Sequence, residues 1–268
     1  MVLNDGVTVM MLRSIIMLLC FYSYTAYSDV CLPLKNAQII GVATHAKTGV
    51  FLYCEYHVIE KNTSQVIYTD KTQSPIAIKT VDYSMSLLAP NILQHDYRHS
   101  EMVSVTRQES LDKQSVDTLL LEYKGKNSNN ILKKIINDRP DLVVDAGFDN
   151  AIRYYWDALS TKKKVSLKFV VPAKSRTITL LVKQTKLSRC RLPTVRDVGD
   201  DLERNVDDDE RYFCYVVKPK STLLGWFVKP IILLYARDTQ RLMYFSGSSN
   251  VSTAAGKGQM VNIDYRYL

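Results

Sequence analysis

From residue 37 to the last residue, apolar and polar side chains alternate with a period of two, the pattern of strands with one buried face. Leu52, Cys54, Tyr56 and Val58 share one face, and Phe51, Tyr53, Glu55 and His57 the other. Lys47-Thr48-Gly49 reads as the hairpin turn from a preceding strand at 37–44. Further strands are predicted at 65–69, 76–83, 92–98, 102–107 and 118–124. Later ones are clearer. Val165, Leu167, Phe169 and Val171 alternate with Ser166 and Lys168, and Ile178, Leu180 and Val182 with Thr177 and Thr179. Val261, Ile263, Tyr265 and Tyr267 alternate with Asn262, Asp264 and Arg266. Many short strands joined by short turns predict antiparallel meanders.

One segment breaks the rhythm. Asp149-Asn150 reads as the cap of a helix over 149–160, with Ile152, Tyr155, Trp156 and Leu159 along one side. One helix among a dozen strands predicts a mainly β (α+β) fold. Its expected form is a strongly curved antiparallel sheet, a half-barrel or open barrel, with the helix packed on its concave face. Leu223 to Tyr235 is the most apolar stretch after residue 28, but Gly225, Lys229 and Pro230 interrupt it, so it is no membrane span. It reads as a turn or short helix entering a buried strand at Ile231. The alternative gives Trp226 and Phe227 the mouth of a ligand cavity or a membrane contact, and adds Trp156 and Tyr155 as candidate ligand-binding residues.

The N-terminal segment carries a different signal. Arg13 precedes the apolar run Ser14 to Tyr22, and Ala26-Tyr27-Ser28 places small residues where a signal peptidase cuts. Residues 1–28 are therefore expected to be a signal peptide, with the true start at Met10 or Met11, leaving 29–268 as a single β-rich domain. The competing reading is an N-terminal anchor that is never removed. A lipoprotein fits poorly, because Leu19 precedes Cys20 and Val30 precedes Cys31. Export to the periplasm is the expected localisation. Seventeen tyrosines and a hydrophobic share of 46% fit a folded, strand-rich chain rather than a disordered one.

Cys31, Cys54, Cys190 and Cys214 follow residue 28, and four cysteines permit three pairings. A Cys190–Cys214 bridge is the pairing favoured here; free buried thiols remain the alternative. The net charge of +8 is unevenly spread. Residues 161–191 hold ten basic residues, Lys162, Lys163, Lys164, Lys168, Lys174 and Arg176 among them, and no acid. Residues 197–210 hold eight acids against Arg204 alone. The basic block is a candidate surface for anionic lipid headgroups or an acidic envelope partner; otherwise the two blocks neutralise each other or stay solvated. Nucleic acid is not expected for an exported chain whose basic block lacks an aromatic stacking pattern.

Catalytic motifs are sparse. His95 and His99 flank Asp96, but on a strand they stand about 13 Å apart, too far to share an ion, and no metal or other cofactor is expected. There is no Cys-x-x-Cys and no Gly-x-Ser-x-Gly, and Ser246 to Ser249 reads as a turn between strands. Ala255-Gly256-Lys257-Gly258 lacks the remaining residues of a phosphate loop and reads as a hairpin turn.

Three segments carry a resemblance: Asp145-Ala146-Gly147-Phe148-Asp149-Asn150, Phe169-Val170-Val171-Pro172 and Gly247-Ser248-Ser249-Asn250. With them the chain resembles a family of uncharacterised exported proteins of Gram-negative bacteria, which has no established activity to carry over. The expected shape is also similar to the half-barrel lipoprotein carriers of the periplasm, an analogy of shape alone. The leading expectation is a non-enzymatic binder of an apolar or amphipathic ligand, or of an envelope partner. Its rivals are a periplasmic hydrolase using His57, His95, Asp145 and Asp149, and a structural module of an envelope assembly.

Overall fold

The computed structural model describes residues 30–109, 116–193, 208–221 and 229–268. The expected leader, Trp226, Phe227 and the acidic residues 197–207 lie outside the described residues. Residues 33–268 form one compact unit. Its strands are β1 (Ile39–His45), β2 (Phe51–Glu60), β3 (Thr63–Thr69), β4 (Pro75–Asp82), β5 (Asn91–Asp96), β6 (Glu101–Gln108), β7 (Thr118–Lys124) and β8 (Ile131–Asn137). There follow β9 (Leu142–Val143), β10 (Val165–Val171), β11 (Arg176–Thr185), β12 (Tyr212–Pro219), β13 (Ile231–Ala236), β14 (Leu242–Ser248) and β15 (Met260–Tyr267).

The fold is mainly β. Among the described residues these fifteen strands form one sheet, ordered β8 through β1, then β15 back down to β9. Neighbouring strands of the sheet pair antiparallel, as the alternation predicts, except that β9 runs parallel to its neighbour β10. The central seam joins the two ends of the unit, with Ile39 opposite Tyr267 and His45 opposite Val261. The two outermost strands, β8 and β9, do not pair, so the sheet is not closed. Val81, Ile92, Val105, Leu119 and Leu121 of β4–β7 nevertheless share a core with Leu142, Val144 and Val170 from the β9–β10 end.

Two short helices, α1 (Gly147–Tyr154) and α2 (Trp156–Ser160), stand where the sequence predicts a single helix from 149. The break falls at Tyr155, whose backbone leaves the helical region. Asp149-Asn150 is not the cap. The helix begins two residues earlier after Ala146, with no side-chain cap, and Asp149 sits in its first turn. The Asp149 carboxylate and the Asn150 amide are committed elsewhere, to Tyr235 and to Leu87 O. Gly147 is required at the start of α1, since a Cβ there would meet the Leu88 carbonyl oxygen at 2.0 Å.

α1 and α2 bury Ile152 and Leu159 against Val165, Leu167, Leu180, Val182, Tyr215 and Leu233 on one face of β10–β13. Ile152 and Leu159 are fully buried, each contributing about 1.5–3 kcal/mol. On the opposite face Leu187, Cys190 and Leu192 pack against Tyr212, Cys214, Leu234 and Tyr244. A Cys190–Cys214 disulfide, with Cα atoms 5.9 Å apart, ties that cover down. Closing a loop of this length contributes about 3 kcal/mol by chain entropy. Cys31 and Cys54 are disulfide-bonded as well. Two disulfides are what a chain matured in an oxidising, exported location carries. Among the described residues no helix is long and apolar enough to cross a membrane.

Candidate functional site

The helix-bearing face of the sheet continues in register beyond the helices, through Phe245 and Ile263 to Ala43 and Tyr53. There it changes character. Glu55 and His57 alternate on β2, Lys79 stands on the same face of β4 across from Val66, and Tyr265 faces Gly41 on the neighbouring strand. Gly41 makes room for this group, because a Cβ at that position would meet the Tyr265 ring at 2.9 Å and the Glu55 Cβ at 3.2 Å. The Tyr265 hydroxyl donates to Glu55 Oε2 at 3.1 Å, and His57 Nε2 lies 3.5 Å from the same oxygen. The His57 ring stands edge-on to Tyr265. Burial, and next the Glu55 charge, push the phenols of Tyr53, Tyr68 and Tyr265 well above their ordinary pKa.

The turn before α1 delivers the second half of the group. Asp145 adopts φ 38°, a left-handed conformation that a non-glycine residue holds only when its surroundings fix it. The fixing partners are visible. Lys79, 3% exposed, donates to Asp145 Oδ1 at 2.5 Å, and Asn250 Nδ2 reaches Oδ2 at 3.4 Å. Asn250 O accepts in turn from Gln94 Nε2 at 2.9 Å, and Ser249 Oγ bonds the Tyr53 hydroxyl at 2.8 Å. The Asp145–Asn150 and Gly247–Asn250 segments, 105 residues apart at the Asp145–Asn250 contact, thus meet in one polar cluster. Ser246 lies inside β14 rather than in a turn.

Asp149 completes it from α1. The Tyr235 hydroxyl donates to Asp149 Oδ1 at 2.8 Å, and Arg153 forms an ion pair with Oδ2. Burial is the largest influence on the Asp149 carboxyl and pushes its pKa up, against the opposing pull of Arg153, Tyr235 and His57. Yet 34% of its side-chain surface is open. Arg153 also donates to Asn150 Oδ1 at 3.4 Å. Asn150 lines a neighbouring hollow of about 430 Å³ with Leu87, Leu88, Pro140, Tyr154 and Tyr155.

The residues singled out in the sequence therefore part company. His57, Asp145 and Asp149 lie on the helix-bearing side of the sheet in separate sets of contacts, His57 beside Glu55, Asp145 with Lys79 and Asn250, and Asp149 with Tyr235 and Arg153, whereas His95 is exposed on the opposite face of β5 and His99 turns to Thr253 O at 2.9 Å. Among the described residues no three His, Cys, Asp or Glu side chains gather as a metal ion requires. Tyr155 lines the hollow, but Trp156 packs edge-on against Phe213, Tyr215 and Tyr235 in the apolar core and belongs to no hollow described here. Lys162, Lys163, Lys164, Lys174 and Arg176 are exposed, and Lys168 is paired with Asp141 at 3.2 Å. Glu55 and Lys79 carry no motif, and their sequence signal is a charge at a position where period-two alternation calls for an apolar side chain, as in Ala77-x-Lys79-x-Val81; Tyr265 reads as one more apolar position of its strand, and Asn250 stands only as the end of the Gly247–Asn250 segment. No family model, curated protein or solved structure matches the chain.

Proposed function

We propose that this is an exported, non-enzymatic binding protein of the periplasm, its sheet curved as a half-barrel about α1 and α2, that holds an amphipathic ligand beside α1. The observation that carries this reading is the hollow, joined to the carboxyl of Asp149 by side-chain contacts through Asn150 and Arg153. Leu87, Leu88, Pro140, Tyr154 and Tyr155 offer apolar and aromatic contact, and Asn150 and Arg153 lead from them to Asp149. The volume lies within the range of small-molecule sites. Leu87 and Tyr154, 62% and 72% exposed, are large apolar side chains left for something to cover.

A dansyl-labelled fatty acid tests the reading. The chain has two tryptophans, so Trp226→Phe leaves Trp156 as the single donor for energy transfer. Saturable transfer, weakened about tenfold by Leu87→Asp and untouched by Leu93→Asp on β5, is the expected result. Transfer that never saturates, or that Leu93→Asp reduces equally, overturns it. A hydrolase is the second reading, favoured by His57 Nε2, buried without a hydrogen-bond partner among the described residues and 3.5 Å from the Glu55 carboxylate. Turnover of nitrophenyl esters that disappears in His57→Ala would put this reading first.

A further inference from the structure

At the rim where β11 ends, β12 begins and β13 ends, a cleft of about 540 Å³ brings together Lys162, Lys186, Arg237, Gln184 and Tyr212, with Cys214 in its wall. It is separate from the recess beside α1, and independent of any role given to that recess. We infer that this cleft is a binding site for a phosphate group, borne by a soluble phosphate compound or by a phospholipid headgroup.

The geometry is that of a prepared anion site. Arg237 is held from two sides: its guanidinium lies 4.0 Å over the Phe213 ring, and its Nε donates to Tyr212 O at 3.3 Å. That leaves the outer Nη edge of the fork, the edge that grips a phosphate with two parallel hydrogen bonds, without a partner among the described residues. Lys162 and Lys186 line the same cleft, and neither is ion-paired with a carboxylate among the described residues. Lys162 takes a left-handed backbone (φ 62°), held by its N–H on Leu159 O at 3.1 Å, so its position is fixed from the end of α2. Gln184 lines the cleft beside them. Two carboxylates, Asp208 and Asp238, lie close enough to act on Tyr212, and neither lines the cleft; Asp238 Oδ1 accepts from Thr239 N. The Cys190–Cys214 bridge anchors the wall.

Calorimetric titration of the secreted chain with inorganic phosphate at physiological salt tests the inference, paired with flotation on phosphatidylcholine vesicles with and without phosphatidic acid. Lys186→Glu, at an exposed position, and Arg237→Lys, which keeps the charge but removes the fork, are each expected to weaken phosphate binding about tenfold or more. Lys174→Glu, outside the cleft, is expected to leave it unchanged. Binding to free phosphate assigns the site to a soluble compound. Flotation only with phosphatidic acid, lost in the same two variants, assigns it to a headgroup; either result supports the inference. Absence of binding in both arms overturns it, as does an equal loss in Lys174→Glu, which would mark a diffuse basic surface.

Discussion

Over β10–β13 the helix-bearing face meets α1 and α2 through rings and aliphatic side chains, and Trp156, Phe213, Tyr215 and Tyr235 stack edge to face there. Over β1–β4 the same face carries Glu55, His57 and Lys79 among tyrosines; Glu55 is met by the Tyr265 hydroxyl and Lys79 by Asp145, while His57 Nε2 stays 3.5 Å from Glu55 without a hydrogen bond. The first arrangement follows from area alone, and replacing one hydrophobe by another of similar volume disturbs it little. The second tolerates no such exchange, because removing one partner strands a buried polar group. Asp145, held in a left-handed backbone by Lys79 and Asn250, belongs to the same region.

The difference is testable from its largest consequence downward. Tyr53, Tyr68, Tyr235 and Tyr265 have pKa values raised well above 10.0, and burial is the main cause for each. An unfolded phenol ionises near 10, so the stability each contributes is full below that pH and is lost as pH rises toward its folded value. A steep alkaline unfolding limb is expected, with the last of the tyrosinate absorbance, that of these four phenols, appearing together with loss of the strand signal. Full tyrosinate absorbance reached while the fold persists would refute it.

Next in size, Lys79→Ala leaves Asp145 in a buried site without its cation and is expected to cost about 3 kcal/mol in denaturant titration. Leu159→Ala, in the apolar half, costs a comparable amount, about 2–5 kcal/mol, through the cavity it opens. The two separate in a double variant. Lys79→Met combined with Asp145→Leu restores most of the stability while losing whatever binding the cluster serves. If stability and binding return together, the polar half is merely structural. Smallest, Tyr265→Phe removes the hydroxyl that meets Glu55 and is expected to cost about 1–3 kcal/mol while flattening the alkaline limb. An unchanged limb would show that Tyr265 does not contribute to it.

Much of this was legible in the chain. Period-two alternation locates most strands within a residue or two, because one buried face imposes it wherever a strand spans the sheet. It fails at β8, Ile131-Leu132-Lys133-Lys134-Ile135-Ile136-Asn137, an edge strand exposed along nearly its whole length, with no buried face to set a period. It fails also at β9, two residues long and buried on both sides. The helix start is misread because Asp149 and Asn150 have the chemistry of a cap but spend it on tertiary partners. The candidate site is half legible. His57, Asp145 and Asp149 stand out as titratable residues, but which of them meet is decided by register. His95 lies on β5 directly opposite Ile78 and so on the wrong face, one residue out of phase with Gln94 and Asp96.

The seam between β1 and β15 pairs residues 228 positions apart, Ile39 with Tyr267. Strands β2–β8 and β10–β14 can each zip as local hairpins, but the centre of the sheet waits for the last strand to be delivered. An emerging chain therefore has two unfinished blocks, each with an open inner edge, and no continuous sheet until β15 arrives.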